Sequence, residues 1–432
     1  MNIKKIAIVG VGYIGTPTAV MFASNGFDVV GIDINKAKVD SINRGECHID
    51  EPVLPQLLKE AMEAGKLRAS MDFGECKNAQ VVIICVETPL NEDKTPGYSA
   101  LKAACGSVSK NLSPGTLVIV ESTISPGTSG KIVVPVLENG SGMKVGEFLY
   151  AHCPETVIPG NMVHEIKHNH RVIGGYDHTS GELAKKVYSS FVEGELYVTD
   201  YKTAEVVKVI ENTYRDVNIA FANELALSSK QLGVDVYKAI EIANHHPRVN
   251  IHQPGAGVGG HCIPKDPWLL IDGVGGREKG KLIVTARELN TKMPYYFAGK
   301  ISEALKEKGV ERPKILILGV TYKKDSDDVR DSPAIGLIAE LKKLGSNEIE
   351  CWDPHAKTED SKYIGAPIKT EKPDNQFDCV ALVTDHSEFS MEGVEGLSGL
   401  LKLGGLFTDG RGIFQRQEWE GEDFAFFGLG RD

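Results

Sequence analysis

The eight cysteines of this chain, at positions 47, 76, 85, 105, 153, 262, 351 and 379, contain no Cys-x-x-Cys pair. Their scatter argues against a zinc site and against a disulfide framework; free thiols in a reducing compartment are the simplest reading, and no metal is expected. No apolar run is long enough to cross a bilayer. Met1-Asn2-Ile3-Lys4-Lys5-Ile6 enters a strand pattern with no signal-peptide core, so a cytoplasmic location without a membrane partner is expected. Positive charge is in short supply: 48 Lys and Arg face 59 Asp and Glu, for a net charge of −11. That balance argues against wholesale nucleic-acid binding, so any anion site has to be a local basic cluster. What is present, 41% hydrophobic and 25% charged residues over 432 positions, describes a globular protein too long for one ordinary core.

Glycine is where the information begins. Lys5–Val9 is a short apolar run of the kind a buried parallel strand needs. Gly10-Val11-Gly12-Tyr13-Ile14-Gly15 follows, then a helical stretch Thr16–Asn25 and a second strand Phe27–Ile32 that ends in Asp33. Strand, Gly-x-Gly-x-x-Gly, helix, strand and acidic residue form the dinucleotide fingerprint in its structural context. Gly10 permits the tight turn, Gly12 lets a pyrophosphate approach backbone N–H groups, and Gly15 lets the helix pack near the strand. Asp33 accepts hydrogen bonds from a ribose 2′-hydroxyl and repels a 2′-phosphate, which favours NAD over NADP. Val81–Val86, Leu117–Val120 and Leu149–Cys153 read as further strands, whose carboxyl edge carries Thr88, Thr123 and Glu155. The two threonines read as contacts to the cofactor or reacting group, or as hydroxyls capping loops. Gly10, Gly12, Tyr13, Ile14, Gly15, Asp33, Lys38, Thr88 and Thr123 make up the expected cofactor contacts.

Thr203 to about Leu232 has helical periodicity without internal Pro or Gly, a helix of about 45 Å able to bridge two domains or form a dimer core. Lys208, Asn212 and Arg215 fall on one face of it, as a site wall or a solvated stripe. Pro254-Gly255-Ala256-Gly257-Val258-Gly259-Gly260-His261-Cys262-Ile263-Pro264-Lys265-Asp266-Pro267 then presents a thiol after small residues that let backbone approach a ligand. A structural cysteine is the alternative, but the adjacent cation and carboxylate favour a nucleophile. Beyond a helix at Ile283–Leu305, strands at Lys314–Leu318, Ile349–Asp353, Cys379–Thr384 and Gly405–Asp409 and a helix at Ala334–Leu344 form a second α/β half without a dinucleotide fingerprint. Lys323, Lys324 and Arg330 near the end of its first strand, and Arg411 after its last, suit an anionic ligand. The fold class is α/β, with two Rossmann-like doubly wound domains joined by a long central helix, over 1–200, 201–305 and 306–432.

A nicotinamide cofactor implies hydride transfer, and a thiol beside it suits trapping of an aldehyde on the way to an acid. The motifs are similar to those of the nucleotide-sugar 6-dehydrogenases, over essentially the whole chain. Gly10–Gly15, Ser122-Thr123, Pro154-Glu155, Lys208-x-x-x-Asn212, Gly259-Gly260-x-Cys262 with Lys265-Asp266, and Tyr322-Lys323 with Asp328-x-Arg330 fall in family order. The resemblance implies NAD in the first domain, UDP in the second and a homodimer or higher multiple. It implies Cys262 as nucleophile, Lys208 as general acid/base, and Asn212 holding an oxyanion or a water. It further implies Glu155, Thr123 and Asp266 positioning hydrolytic water, Lys323, Arg330 and Arg411 on sugar and diphosphate, and Arg248 reaching the neighbouring subunit's site. Gly259 and Tyr322 join the expected substrate contacts through the same motifs.

Two positions depart from the UDP-glucose branch: Pro159 stands where that branch has a second acid, and His261 precedes the nucleophile in place of a small residue. Gly-Gly-His-Cys-Ile-Pro and Asn212–Asn218 resemble the branch that oxidises 2-acetamido sugars, with UDP-N-acetyl-D-mannosamine ahead of UDP-N-acetylglucosamine and UDP-glucose. His246, Arg248 and Arg215 are then acetamido or phosphate contacts, unless His246 is a turn histidine. A non-enzymatic NAD sensor or a two-electron β-hydroxy-acid dehydrogenase would need neither the thiol nor the basic second half.

Overall fold

The structure, a computed structural model, describes residues 3–49, 51–157, 160–419 and 424–431. The chain divides into two compact units, Met1–Glu211 with Trp268–Lys279, and Asn212–Pro267 with Gly280–Asp432. The stretch 201–305 is therefore shared between them.

The first unit is built on an eight-stranded sheet in the order β3-β2-β1-β4-β5-β6-β7-β8. Its strands are β1 Lys5–Val9, β2 Asp28–Ile32, β3 Leu67–Ser70, β4 Val81–Ile84, β5 Leu117–Val120, β6 Leu149–His152, β7 Arg171–Gly175 and β8 Leu196–Asp200. The central strands are apolar on both faces because both faces are covered. Ile6, Ile8, Val81, Ile83, Leu117 and Ile119 pack to one side, and Ala7, Val9, Val82, Ile84, Val118 and Val120 to the other. All pairings are parallel except β6 with β7, where Ala151 faces Gly175 and His152 faces Gly174.

The second unit carries a six-stranded, all-parallel sheet in the order β11-β10-β9-β12-β13-β14. Its strands are β9 Lys314–Leu318, β10 Glu348–Trp352, β11 Ile368–Lys369, β12 Phe377–Leu382, β13 Leu401–Asp409 and β14 Ala425–Gly428. The edge strands β3, β8, β11 and β14, and β7, lie where no long apolar run advertises them.

The long helix is Tyr201–Leu227, 27 residues or about 40 Å. It is shorter than its periodicity predicts because the Ser228 N–H bonds to both Glu224 and Leu225 carbonyls, tightening the last turn; Ser229–Leu232 follows as a separate short helix. No described helix is long and apolar enough to cross a membrane.

The two sheets share a device. Each first strand is followed by a glycine at positive φ, Gly10 at 92° and Gly319 at 77°. Its N–H bonds to the last carbonyl of the second strand, Gly10 to Ile32 at 2.7 Å and Gly319 to Trp352 at 3.0 Å. An aspartate then follows the second strand and accepts from the next loop N–H: Val11 to Asp33 Oδ2 at 3.0 Å, Val320 to Asp353 Oδ2 at 2.7 Å. The second half thus repeats the backbone of a fingerprint whose letters it lacks.

Asp353 is fully buried, accepting also from Thr321, His355 and Ala356 N–H groups and from His386 Nε2. Burial works against its charge, but His386 and these N–H groups outweigh burial and bring its pKa down from 3.8 to about 2. A depressed folded-state pKa stabilises above the unfolded value and loses that contribution as pH falls through the folded one. Asp353→Asn is therefore expected to lower stability at pH 7 by about 2 kcal/mol and to flatten the acid-induced loss between pH 4 and 2, read by urea unfolding at several pH values.

Candidate active site

In the first unit, a Cβ on Gly10 would lie 2.5 Å from the Cys85 carbonyl oxygen, and one on Gly15 1.8 Å from that of Gly10, so neither position admits a side chain. Gly12 differs: a Cβ there would meet only the Lys38 ammonium, at 3.8 Å. That open face, ahead of the helix Gly15–Ser24, fits a pyrophosphate on backbone N–H groups. Asp33 accepts from Val11 and from Asn35 at 2.8 Å, with Lys38 Nζ 4.0 Å away, and its carboxylate remains partly accessible. These residues fit the ribose and diphosphate of NAD.

His48 stands beside them unannounced by any motif. Burial first, then Lys38, lowers its pKa, and Val11 and Asp33 are its other neighbours. Tyr13 donates to Glu51 at 3.0 Å, a buried carboxylate that also accepts from Gly160 and Met162 N–H groups, while Ile14 packs on the core. Pro159 lies outside the described residues.

At the carboxyl edge, the Thr88 hydroxyl donates to the Thr123 carbonyl at 2.7 Å, a loop-tying bond, and Ser122 exchanges bonds with the Val86 backbone. Glu155 is buried against Arg171, with its second oxygen accepting from Thr156 N–H at 2.7 Å. Lys208 is also buried, and among the described residues its ammonium has no hydrogen-bond or ion-pair partner. A buried cation without a counter-charge is costly in a finished core and suits a group that awaits a ligand.

In the second unit, Cys262 is exposed, and its carbonyl accepts from Lys265 and Asp266 N–H groups at 3.1 and 2.9 Å. Asp266 opens the helix Asp266–Gly273 and is buried. Asn212 donates to its Oδ2 at 2.7 Å; its Oδ1 has no hydrogen bond and lies 3.9 Å from the Lys265 ammonium. Asn212 stands one helical turn after Lys208 on the long helix. Behind the loop, Asn223 accepts from Gly255 N–H and donates to Asn290, which with Arg287 holds Asp216.

The glycines before Cys262 lie against other parts of the chain. A Cβ on Gly259 would lie 2.7 Å from the Asp331 carbonyl oxygen and from Tyr322 Cβ, and one on Gly260 2.7 Å from the Tyr322 ring. Gly257 lies against Pro294 and Pro333, and Gly255 against Arg411. Close backbone approach is needed there by the chain's own β9 loop and its surroundings. The Tyr322 pKa is raised by burial first, then by Asp328 and Cys262, with Arg330 and Arg215 opposing, which puts the phenol among the thiol and two guanidinium groups. His261 has a lowered pKa from desolvation, then from Lys265 and Arg330.

Arg330 grips the Asp328 carboxylate with three side-chain bonds, Arg411 donates to Asp385 at 2.9 Å, and the exposed Lys323 ammonium has no partner among the described residues. Arg215 is exposed near His252. His246 Nδ1 accepts from the Arg248 N–H at 3.3 Å, a turn bond; the Arg248 side chain is exposed. Donor atoms of Asp325, His355, His386 and Glu388 lie within 4.8 Å of one another. The chain already uses them: Asp325 caps the helix at Ser387, His386 Nδ1 accepts from Asp325 N–H, and His355 pairs with Glu388.

Residues 4–192 match the NAD binding domain of the UDP-glucose/GDP-mannose dehydrogenase family, 202–292 its central domain and 316–416 its UDP binding domain. The chain is 43% identical over 430 residues to a UDP-N-acetyl-D-mannosamine dehydrogenase of Pyrococcus horikoshii, covering 99% of each. It is 38% identical to an NDP-N-acetyl-D-galactosaminuronic acid dehydrogenase of Ralstonia solanacearum, over 90% of this chain and 92% of that one. A solved structure of UDP-D-ManNAc dehydrogenase from Pyrococcus horikoshii superposes with a TM-score of 0.90 at 42% identity, covering 99% of each chain. The chain belongs to the UDP-glucose/GDP-mannose dehydrogenase family, with NAD as its cofactor.

Proposed function

We propose that this chain oxidises the C6 hydroxyl of UDP-N-acetyl-D-mannosamine to the uronic acid, a four-electron reaction that forms two NADH per turnover through a thiohemiacetal and a thioester on Cys262. The observation that carries the reading is the exposed Cys262 four residues before a buried Asp266 that Asn212 holds and whose second oxygen has no hydrogen bond. The Pyrococcus relative supports the choice of sugar.

NAD, held by Gly10–Gly15, Asp33 and Lys38 with Thr88 and Thr123 nearby, supplies the hydride acceptor. Lys208, as its neutral amine, takes the proton of the C6 hydroxyl, and the ammonium so formed stabilises oxygen charge at C6, with Asn212. The Cys262 thiolate adds to the aldehyde carbon, so the intermediate stays bound while it is oxidised again. Glu155, Thr123 and Asp266 orient the water that cleaves the thioester. Lys323, Arg330 and Arg411 hold the diphosphate and sugar, with Gly259 and Tyr322 shaping the site, and Arg215 and His246 serve the acetamido or phosphate groups.

The working division is a cofactor domain over 1–200, a dimerising middle over 201–305 that carries Lys208 and Cys262, and a UDP-sugar domain over 306–432. Ile210, Tyr214 and Phe221, about half exposed on the long helix, support a homodimer in which Arg248 reaches the neighbouring site. The enzyme works in the cytoplasm.

UDP-N-acetyl-D-mannosamine, UDP-N-acetylglucosamine, UDP-N-acetylgalactosamine and UDP-glucose, presented in parallel, are expected to show fastest turnover on the first, with two NADH per sugar. One NADH and a released aldehyde would overturn the reading. Cys262→Ser should abolish acid formation, since serine is a far weaker nucleophile at neutral pH; acid at the wild-type rate would remove the covalent step. Asp33→Ala should weaken NAD by about tenfold or more while leaving UDP binding within twofold, measured by calorimetry; equal losses would contradict the cofactor placement.

A further inference from the structure

We infer that Arg171 is a positioning residue for the hydrolytic half of the reaction, fixing the Glu155 carboxylate at the carboxyl edge of the first sheet. The inference rests on the proposed role of Glu155 in orienting water. Its structural basis is the one break in the parallel order of that sheet. Strand β7 runs antiparallel to β6, with 151 opposite 175 and 152 opposite 174. Continued outward, that register brings 171 opposite 155. An arginine at the start of a parallel strand would emerge at the opposite edge. The reversal delivers it instead to the edge where the proposed chemistry occurs.

Arg171 is buried, and its guanidinium bridges two buried carboxylates, Glu155 and, at 3.0 Å, Glu121. Glu121 Oε1 also accepts the Tyr188 hydroxyl at 2.6 Å, and the Tyr188 ring lies 4.5 Å beneath the guanidinium. Glu121 Oε2 accepts from Thr18 at 3.2 Å and from the Cys85 thiol at 3.0 Å, and Cys85 backs Gly10 and Gly15. Burial first and Glu121 next push the Cys85 and Tyr188 pKa values well up, so both stay neutral donors. One cation between two carboxylates is a poor way to stabilise a core, where well-packed apolar groups do as well or better. It is a good way to hold one carboxylate still. Glu155 has one oxygen on Arg171 and the other on Thr156 N–H, so its position is set from two sides.

In hydrolysis, water gives its oxygen to the acyl carbon, the C–S bond breaks, the Cys262 thiolate leaves with the bonding pair, and the protons of water pass to solvent. A carboxylate that swings away from Thr156 no longer orients that water, while the two oxidations before it proceed.

The test compares Arg171→Lys and Arg171→Gln with wild type and Glu155→Gln, each as the full chain with NAD and the UDP-sugar that wild type turns over fastest. Rapid-quench NADH traces, intact-protein mass spectra and melting temperatures are recorded. Both Arg171 variants should keep the NADH burst within about twofold, lose at least tenfold in steady-state rate and accumulate an acyl adduct on Cys262, as Glu155→Gln should; lysine should retain more rate than glutamine. Acid release at the wild-type rate would overturn the inference. So would equal loss of burst and steady state with a lowered melting temperature and no adduct, which marks a merely structural role. If Glu155→Gln hydrolyses normally, the proposed role of Glu155 fails; a wild type yielding one NADH and no acid fails the four-electron reading before any variant is made.

Discussion

A carboxylate following the second strand, accepting N–H groups from the loop that follows the first, holds the nucleotide edge of both sheets together. In the first unit Asp33 takes Val11 and Asn35 and remains partly open. In the second, Asp353 takes Val320, Thr321, His355 and Ala356, with His386 closing the remaining side, and has no surface left. The same backbone therefore serves two purposes. With the aspartate open and Gly12 bare, the first turn suits a dinucleotide. With the aspartate sealed, the second edge carries instead the Tyr322-Lys323 loop and the arginines after it.

Much of this was legible because it is local. Lys5–Val9, the three glycines and Asp33 sit within one βαβ unit, and each residue has a conformational reason that sequence displays. Lys208 and Asn212 are singled out by helical spacing, and Cys262 by its charged neighbours, for the roles proposed above. The Arg171 cluster was not. Its members come from six places in the chain, and the strand that brings Arg171 to Glu155 begins with the arginine itself and ends in two glycines, without a long apolar run. Asp353 looked like an ordinary strand end, since its partners lie in three separate loops.

The glycines before Cys262 show a subtler limit. Sequence displays where side chains are missing, but not what fills the space. The filler is Tyr322, whose Cβ lies against Gly259 and whose ring seats on Gly260, near the thiol. The motif carrying Tyr322 and the motif carrying Cys262 are thus two faces of one packing contact, so substitution in either disturbs the other. A buried polar atom without a hydrogen bond in the second unit, the Asp266 Oδ1, is tolerable when a ligand meets it and wasteful otherwise.

The central claim is that one thiol retains the sugar between two oxidations. It is tested most directly with UDP-N-acetyl-D-mannosamine carrying ¹³C at C6, turned over with excess NAD and followed by ¹³C NMR. The label should pass from the alcohol to the carboxylate with no free aldehyde or its hydrate at any time. A labelled aldehyde building up in solution would contradict the account.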